Sequence, residues 1–150
     1  MDDEVLIGLD PHKASNTIAV MDRTDRVVAG GRFRNNDAGI VEMLDTVAEH
    51  ERRVWAVEGA NGIGRQIAQC LVAAGELVVD VPAKLATRVR VYSTGHGTKT
   101  DDTDAVAIAR AGIHSPQLRR VQPDGPVTGP GFTSVGVHDA AFVALNASCT

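Results

Sequence analysis

The run VLIGLD at residues 5–10 constrains the fold more than any other stretch of the chain. Its Val, Leu and Ile residues do not alternate with polar ones, which is the pattern of a strand buried on both faces of a sheet. A strand buried in this way lies in a sheet with helices on its faces. The sequence therefore predicts a buried first strand that ends at Asp10.

The next part of the chain predicts an antiparallel meander followed by a helix. TIAVMD at 17–22 and RVVAGGRFR at 26–34 indicate two more strands, with turn residues between them. Asn36 or Asp37 is placed to cap a helix, because apolar residues recur behind them at helical spacing.

After residue 52 strands and helices alternate. VWAVEG and ELVVDV predict strands, and between them GIGRQIAQCLVAAG predicts a helix with Ile63 and Ile67 on its apolar stripe and Gly75 as its cap. This order predicts a right-handed parallel crossover. Pro82 begins a short helix to about Val91, and Asp101 opens the last one. The whole is an α/β fold of the ribonuclease-H-like kind: a mixed five-stranded sheet with helices on both faces.

Length and composition indicate one globular domain. The chain has 150 residues, of which 43% are hydrophobic and 23% charged. Its net charge of -4 argues against a highly basic protein that coats nucleic acid. The acidic N-terminus has only a short apolar run, so we expect no signal peptide, no membrane span and a cytoplasmic location. We expect the domain to cover residues 1–113, with an irregular Gly- and Pro-rich tail at 114–150.

Acidic residues stand at the places where the ribonuclease-H-like architecture has its active site. Asp10 ends the first strand, Glu58 ends the fourth, and Asp101 and Asp104 share one face of the last helix. Converging carboxylates of this kind can bind two Mg²⁺ or Mn²⁺ ions for phosphoryl transfer. Asp102 points about 100° away from Asp101 around the helix and is not expected to be a ligand. Each acid alone has another explanation, since acids favour helix N-termini and turns.

Several basic residues lie near the predicted acidic site. Lys13 follows Asp10, Lys99 precedes the last helix, and Lys84 and Arg88 belong to the short helix after Pro82. We predict that they contact nucleic-acid phosphates, although solvated surface residues would give the same pattern.

Four motifs resemble the N-terminal part of the DEDD transposases of bacterial insertion sequences. They are GLDPHK at 8–13, VEGANGIG at 57–64, VPAK at 81–84 and KTDDTDA at 99–105. The resemblance covers residues 4–113 and implies a RuvC-like catalytic domain with Asp10, Glu58, Asp101 and Asp104 as its catalytic and metal-binding residues. It implies Mg²⁺-dependent DNA cleavage and strand transfer, a guide RNA and a homo-oligomer.

The same resemblance implies a second, C-terminal domain with a catalytic serine. Residues 114–150 do not resemble its beginning, so a truncated or frameshifted copy is expected. Two other functions stay open: a non-catalytic nucleic-acid-binding or dimerisation module, and an actin-like ATPase half-domain. The ATPase is disfavoured because Pro11, His12 and Lys13 stand where its phosphate loop has Gly and Ser or Thr.

Overall fold

The computed structural model describes residues 4–93, 101–115 and 117–124 of the chain. Predictions that concern Lys99 and most of the tail lie outside these residues. The side chains of residues 90–93 and 101–103 also lie outside the description, so Asp101 is discussed only by its position in the backbone.

Within these described residues, five strands form one mixed sheet in the order β3-β2-β1-β4-β5. β1 pairs antiparallel with β2 and parallel with β4, β2 pairs antiparallel with β3, and β4 pairs parallel with β5. This confirms the predicted fold class and puts VLIGLD in the central strand. The strand bounds are β1 Glu4–Pro11, β2 Ser15–Met21, β3 Val27–Arg34, β4 Arg52–Glu58 and β5 Leu77–Val81.

In the described part of the chain, four helices cover the two faces of this sheet. Their bounds are α1 Asp37–Val47, α2 Arg65–Ala73, α3 Ala83–Ser93 and α4 Asp101–His114. One core cluster joins α1 and α2 to the odd-numbered residues of β1, such as Ile7 and Leu9. The second lies on the other face, where α3 and α4 pack against Leu6 and Ala56. Along each strand, successive residues therefore face α1 and α2 on one side of the sheet and α3 and α4 on the other.

Most of the predicted helix ends agree with the structure, and one fails. Asn36 caps α1, since its Oδ1 accepts a hydrogen bond from the Gly39 amide at 2.8 Å. Gly75 follows α2 with a φ of 86°, as expected of a glycine after a helix C-terminus. Ile63 was expected on the apolar stripe of α2, and this is wrong. The helix begins only at Arg65, and Ile63 is 73% exposed in the preceding loop.

Helix α4 crosses β1 at Gly8, where the two backbones come too close for a side chain. A Cβ at Gly8 would lie 2.5 Å from the Ala109 amide nitrogen and would overlap the Ala105 carbonyl oxygen. A Cβ on Gly112 would collide with Leu6, near the start of β1. The helix therefore runs opposite to β1, and its N-terminus lies at the end of the sheet where β1 finishes.

Residues 117–124 lie along the outer edge of β5. The Asp80 amide donates to the Arg119 carbonyl at 2.8 Å, and the Val121 amide donates to the Val78 carbonyl at 2.8 Å. Leu118 packs against the core beneath α4, and Val121 packs against the core beneath α2. The boundary at residue 113 stays a prediction, and these contacts lie just beyond it. In the described part of the chain, no helix has the length and apolar character needed to cross a membrane.

Candidate active site

Asp10 and Glu58 lie side by side at the carboxyl ends of two parallel strands. The register pairs Gly8 with Ala56 and Leu9 with Val57, so Asp10 and Glu58 are next in line. Both are even-numbered and lie on the sheet face covered by α4, opposite the face of Leu9 and Val57. Neighbouring strands are about 4.8 Å apart, so the two carboxylate side chains start from adjacent positions of the backbone. Asp10 is 6% exposed and Glu58 is half-buried.

The first turn of α4 brings a third acid to the same end of the sheet. Asp104 is 8% exposed and precedes Ala105, whose carbonyl faces Gly8 of β1. Asp101 begins the helix one turn before Ala105, so its backbone lies still nearer the end of β1. Three of the four predicted acids are thus described, and they lie on one face at one end of the sheet.

His12 contacts the most buried of these acids. Its Nε2 lies 2.9 Å from Asp10 Oδ2, and the His12 ring is 46% exposed. A short hydrogen bond between a buried carboxylate and a half-exposed imidazole fixes the orientation of the carboxylate. The sequence suggested a phosphate contact for His12, with an exposed loop residue as the alternative, and its position two residues after Asp10 is the sequence signal for the contact with that acid.

The loop after Glu58 is fixed by its own backbone and by Asp80. The Gly59 amide donates to the Val81 carbonyl, and the amides of Gly62 and Gly64 both donate to the Gly59 carbonyl. Asp80 Oδ1 accepts the Ala60 amide at 3.0 Å. Gly59 has a φ of 64°, which favours glycine there. The GANGIG stretch is a closed turn that holds the end of β4.

Asp80 was missed because its signal in the sequence is weak. It stands in the apolar run LVVDV, where an acid would be costly unless its oxygens are satisfied. Its second oxygen lies 3.4 Å from Asn61 Nδ2, so the carboxylate braces the loop from two points. Asn61 therefore contacts Asp80 and does not cap α2.

The donor set fits a divalent cation in its chemistry. Asp10, Glu58 and Asp104 offer hard carboxylate oxygens, which Mg²⁺ and Mn²⁺ prefer. They share one face and one end of the sheet. Among the side chains that the structure describes, however, no group of three or more His, Cys, Asp or Glu residues is close enough together to hold a metal ion.

The predicted nucleic-acid contacts lie on two sides of the acids. Lys13 is exposed in the loop between β1 and β2. Lys84 and Arg88 are exposed, lie four residues apart and share one face of α3, which begins just after β5 ends. These three residues are near the end of the sheet where the acids lie. Lys99 lies outside the described residues.

Comparisons with known proteins agree on the family and the fold. A family model for DEDD transposases of the IS110 type, described as "Transposase", matches residues 7–128. The insertion element IS116 uncharacterized 44.8 kDa protein of Streptomyces clavuligerus is 29% identical over 107 residues, which is 71% of this chain and 27% of that protein. The chain thus spans about a quarter of the length of this curated relative.

Two solved structures of Thermus thermophilus RuvC have the same fold. One has a TM-score of 0.59 at 16% identity and covers 78% of this chain and 99% of RuvC. The other, RuvC in complex with a Holliday junction substrate, has a TM-score of 0.60 at 17% identity and covers 79% of this chain and 99% of RuvC. At these identities the likeness concerns the fold alone.

Proposed function

Because this chain belongs to the DEDD transposase family of the IS110 type, we propose that it cleaves and transfers DNA strands in transposition, as the catalytic part of a transposase. The observation that supports this most is the placement of Asp10, Glu58 and Asp104. Three acids that are far apart in sequence lie on one face, at the carboxyl end of two parallel strands. In open α/β sheets, sites form at that end.

The acids would bind Mg²⁺ or Mn²⁺, with Asp101 as the fourth ligand. Bound divalent ions would stabilise the attacking and leaving oxygens of a phosphodiester during displacement. Burial of Asp10 and Asp104 keeps bulk water from their carboxylates, so their attraction for a cation is screened less than at the surface. The hydrogen bond from His12 to Asp10, and the one from the Ala60 amide to Asp80, would hold the strand ends in position.

DNA is the proposed substrate, and a guide RNA and a homo-oligomer belong to the same proposal. The RuvC structure bound to a Holliday junction supports DNA as a partner, because the two chains share a fold. Lys13, Lys84, Arg88 and Lys99 would contact nucleic-acid phosphates around the acids. A cytoplasmic location is part of the proposal.

The test is a calorimetric titration of the purified chain with Mn²⁺. We expect saturable binding that Asp10→Asn and Asp104→Asn each weaken by at least about tenfold, since even outer-shell changes at metal sites cost this much. Asp45→Asn is the matched control, because Asp45 is exposed on α1 and the charge change is the same. Binding that all three substitutions weaken equally, or that none weakens, would refute the metal site.

A non-catalytic nucleic-acid-binding or dimerisation module is the second candidate. One observation favours it: among the side chains that the structure describes, no group of three His, Cys, Asp or Glu residues is close enough together to hold a metal ion. Such a module would bind nucleic acid equally well with and without Mn²⁺, and Asp10→Asn would not change this binding.

A further inference from the structure

Two arginines of β3, Arg32 and Arg34, lie on the same sheet face as the acids. Ala29 and Phe33, at odd-numbered positions of the same strand, pack against the core beneath α1. Because successive side chains of a strand point to opposite faces, Arg32 and Arg34 point to the face of α4. Both arginines are exposed. We call Arg32 and Arg34 the β3 arginine pair.

The strand register places the β3 arginine pair in line with the acidic site. Asp10 is opposite Thr17 on β2, and Thr17 is opposite Arg32 on β3. Ser15 is opposite Arg34, one step nearer the end of the sheet. Asp10 and Arg32 are therefore separated by two strand spacings, roughly 10 Å between backbones. An arginine side chain bridges much of that distance.

Local contacts keep these cations at this end of the sheet. Arg32 Nε donates to Ser15 Oγ at 3.1 Å, and Ser15 is itself buried. Asn35 follows Arg34 and ties the neighbouring loop to β3: its amide donates to the Ala14 carbonyl at 3.0 Å, and its Nδ2 donates to the Lys13 carbonyl at 3.3 Å. Lys13 therefore belongs to the same basic surface.

This surface is a local feature of an acidic chain. The net charge is -4, and in the turn at the other end of β3 Asp22 and Asp25 stand beside Arg23 and Arg26. The β3 arginine pair and Lys13, by contrast, form a basic surface next to the acids. A substrate phosphate backbone that reaches the acids across β2 would meet this charge.

We propose that the β3 arginine pair binds the phosphate backbone of the DNA beside the scissile phosphate. This rests on the proposed function, because it assumes that DNA lies over Asp10. Planar guanidinium groups suit phosphate oxygens, and two of them on one strand would set the direction in which the DNA leaves the site. The competing explanation is that charged residues protect an exposed edge strand from pairing with other chains.

The test measures binding of a short fluorescein-labelled DNA duplex by fluorescence anisotropy, in EDTA, over a series of salt concentrations. The variants are Arg32→Gln, Arg34→Gln and Arg32→Lys. Arg26→Gln is the matched control, because Arg26 is exposed at the far end of the same hairpin and the charge change is the same. Circular dichroism and thermal melting confirm that each variant is folded.

We expect Arg32→Gln and Arg34→Gln each to lower the slope of log K against log salt by about 0.9, and to weaken binding about five- to tenfold near 0.1 M salt. Arg32→Lys should retain the slope, and Arg26→Gln should match the unchanged chain. The proposal is overturned if the unchanged chain shows no salt-dependent DNA binding, if Arg26→Gln has the same effect as the pair, or if an RNA duplex of the same sequence binds more tightly through the pair.

This test is independent of the metal titration. If Arg32→Gln has no effect while Asp10→Asn abolishes Mn²⁺ binding, the β3 arginine pair is refuted and the proposed active site stands. If the β3 arginine pair binds DNA while Asp10→Asn leaves Mn²⁺ binding unchanged, the pair stands as part of a non-catalytic binding module.

Discussion

At the scale of single residues, the structure explains why one small and one polar residue stand beside the acids. Gly8 and Thr17 both adjoin the acidic site, Gly8 two residues before Asp10 and Thr17 opposite it on β2. Gly8 is required by the approach of α4, and Thr17 is fully buried on the face that α4 covers. Substitutions at the two positions should change stability in opposite directions.

We expect Gly8→Ala to lower the free energy of unfolding by about 3 kcal/mol, the upper end of the cost of overpacking. The added methyl group would overlap the backbone of α4 at Ala105 and Ala109, which cannot move without shifting the helix. Gly62→Ala is the control, since a Cβ there meets only the Gly59 carbonyl at 3.7 Å. Urea unfolding measures both. Equal stability of the two variants would contradict the close packing of α4 on β1.

We expect Thr17→Val to raise the free energy of unfolding by about 1 kcal/mol. Thr17 is 0% exposed, and its Oγ1 has no hydrogen-bond partner within the described part of the chain. Leaving a buried hydroxyl unpaired is costly, and Val has nearly the same shape without it. Thr87→Val, an exposed change on α3, should alter stability by less than about 0.5 kcal/mol. A loss of stability in Thr17→Val, measured by urea unfolding, would mean that the hydroxyl is satisfied in solution.

At the scale of secondary-structure elements, hydrophobic patterns together with Pro, Gly and capping residues predicted the strands and helices of the described residues, but not all of their contacts. The buried run of β1 and the apolar spacing of α1 gave the correct elements, because burial patterns are local properties of the sequence. Ile63 was misplaced because flanking glycines favoured a closed turn over one more helical turn. Residues 117–124 have no period, and their backbone bonds to β5 depend on a strand distant in sequence.

The pairing of residues 117–124 with β5 makes a testable contribution to stability. Leu118 and Val121 pack against the two cores on opposite faces of the sheet. We expect Leu118→Ala with Val121→Ala to cost about 2 kcal/mol, because both side chains are only partly buried.

Hydrogen exchange gives a direct measurement of this pairing. The Asp80 amide donates to the Arg119 carbonyl, so its exchange should accelerate in the double variant. Arg119→Ala, an exposed change that leaves the backbone bond in place, serves as control. Unchanged protection of Asp80 in the double variant would show that the segment stays bound without its two apolar side chains.

At the scale of the whole molecule, the candidate site depends on how separate parts of the chain are brought together. The sequence predicted that Asp10 and Glu58 end neighbouring strands, and the order of elements was enough for this. It could not predict that strand parity puts both on the face of α4, or that Gly8 fixes the position of that helix. The β3 arginine pair could not be predicted for the same reason, since only the strand register aligns it with Asp10.

Metal binding should therefore stabilise the whole domain, because it would join α4 to β1 and β4. At a Mn²⁺ concentration one hundred times the dissociation constant, linkage predicts about 2.7 kcal/mol of added stability, or roughly 10 °C in Tm for a domain of this size. Amides in the first turns of α4 should gain protection from hydrogen exchange, since that end of the helix would be held at the acids. Asp10→Asn and Asp104→Asn should abolish both effects, whereas Asp45→Asn should preserve them. A rise in Tm that persists in Asp10→Asn would mean that the ion binds at another site. Added protection confined to elements other than α4 would mean that metal binding does not hold the start of this helix.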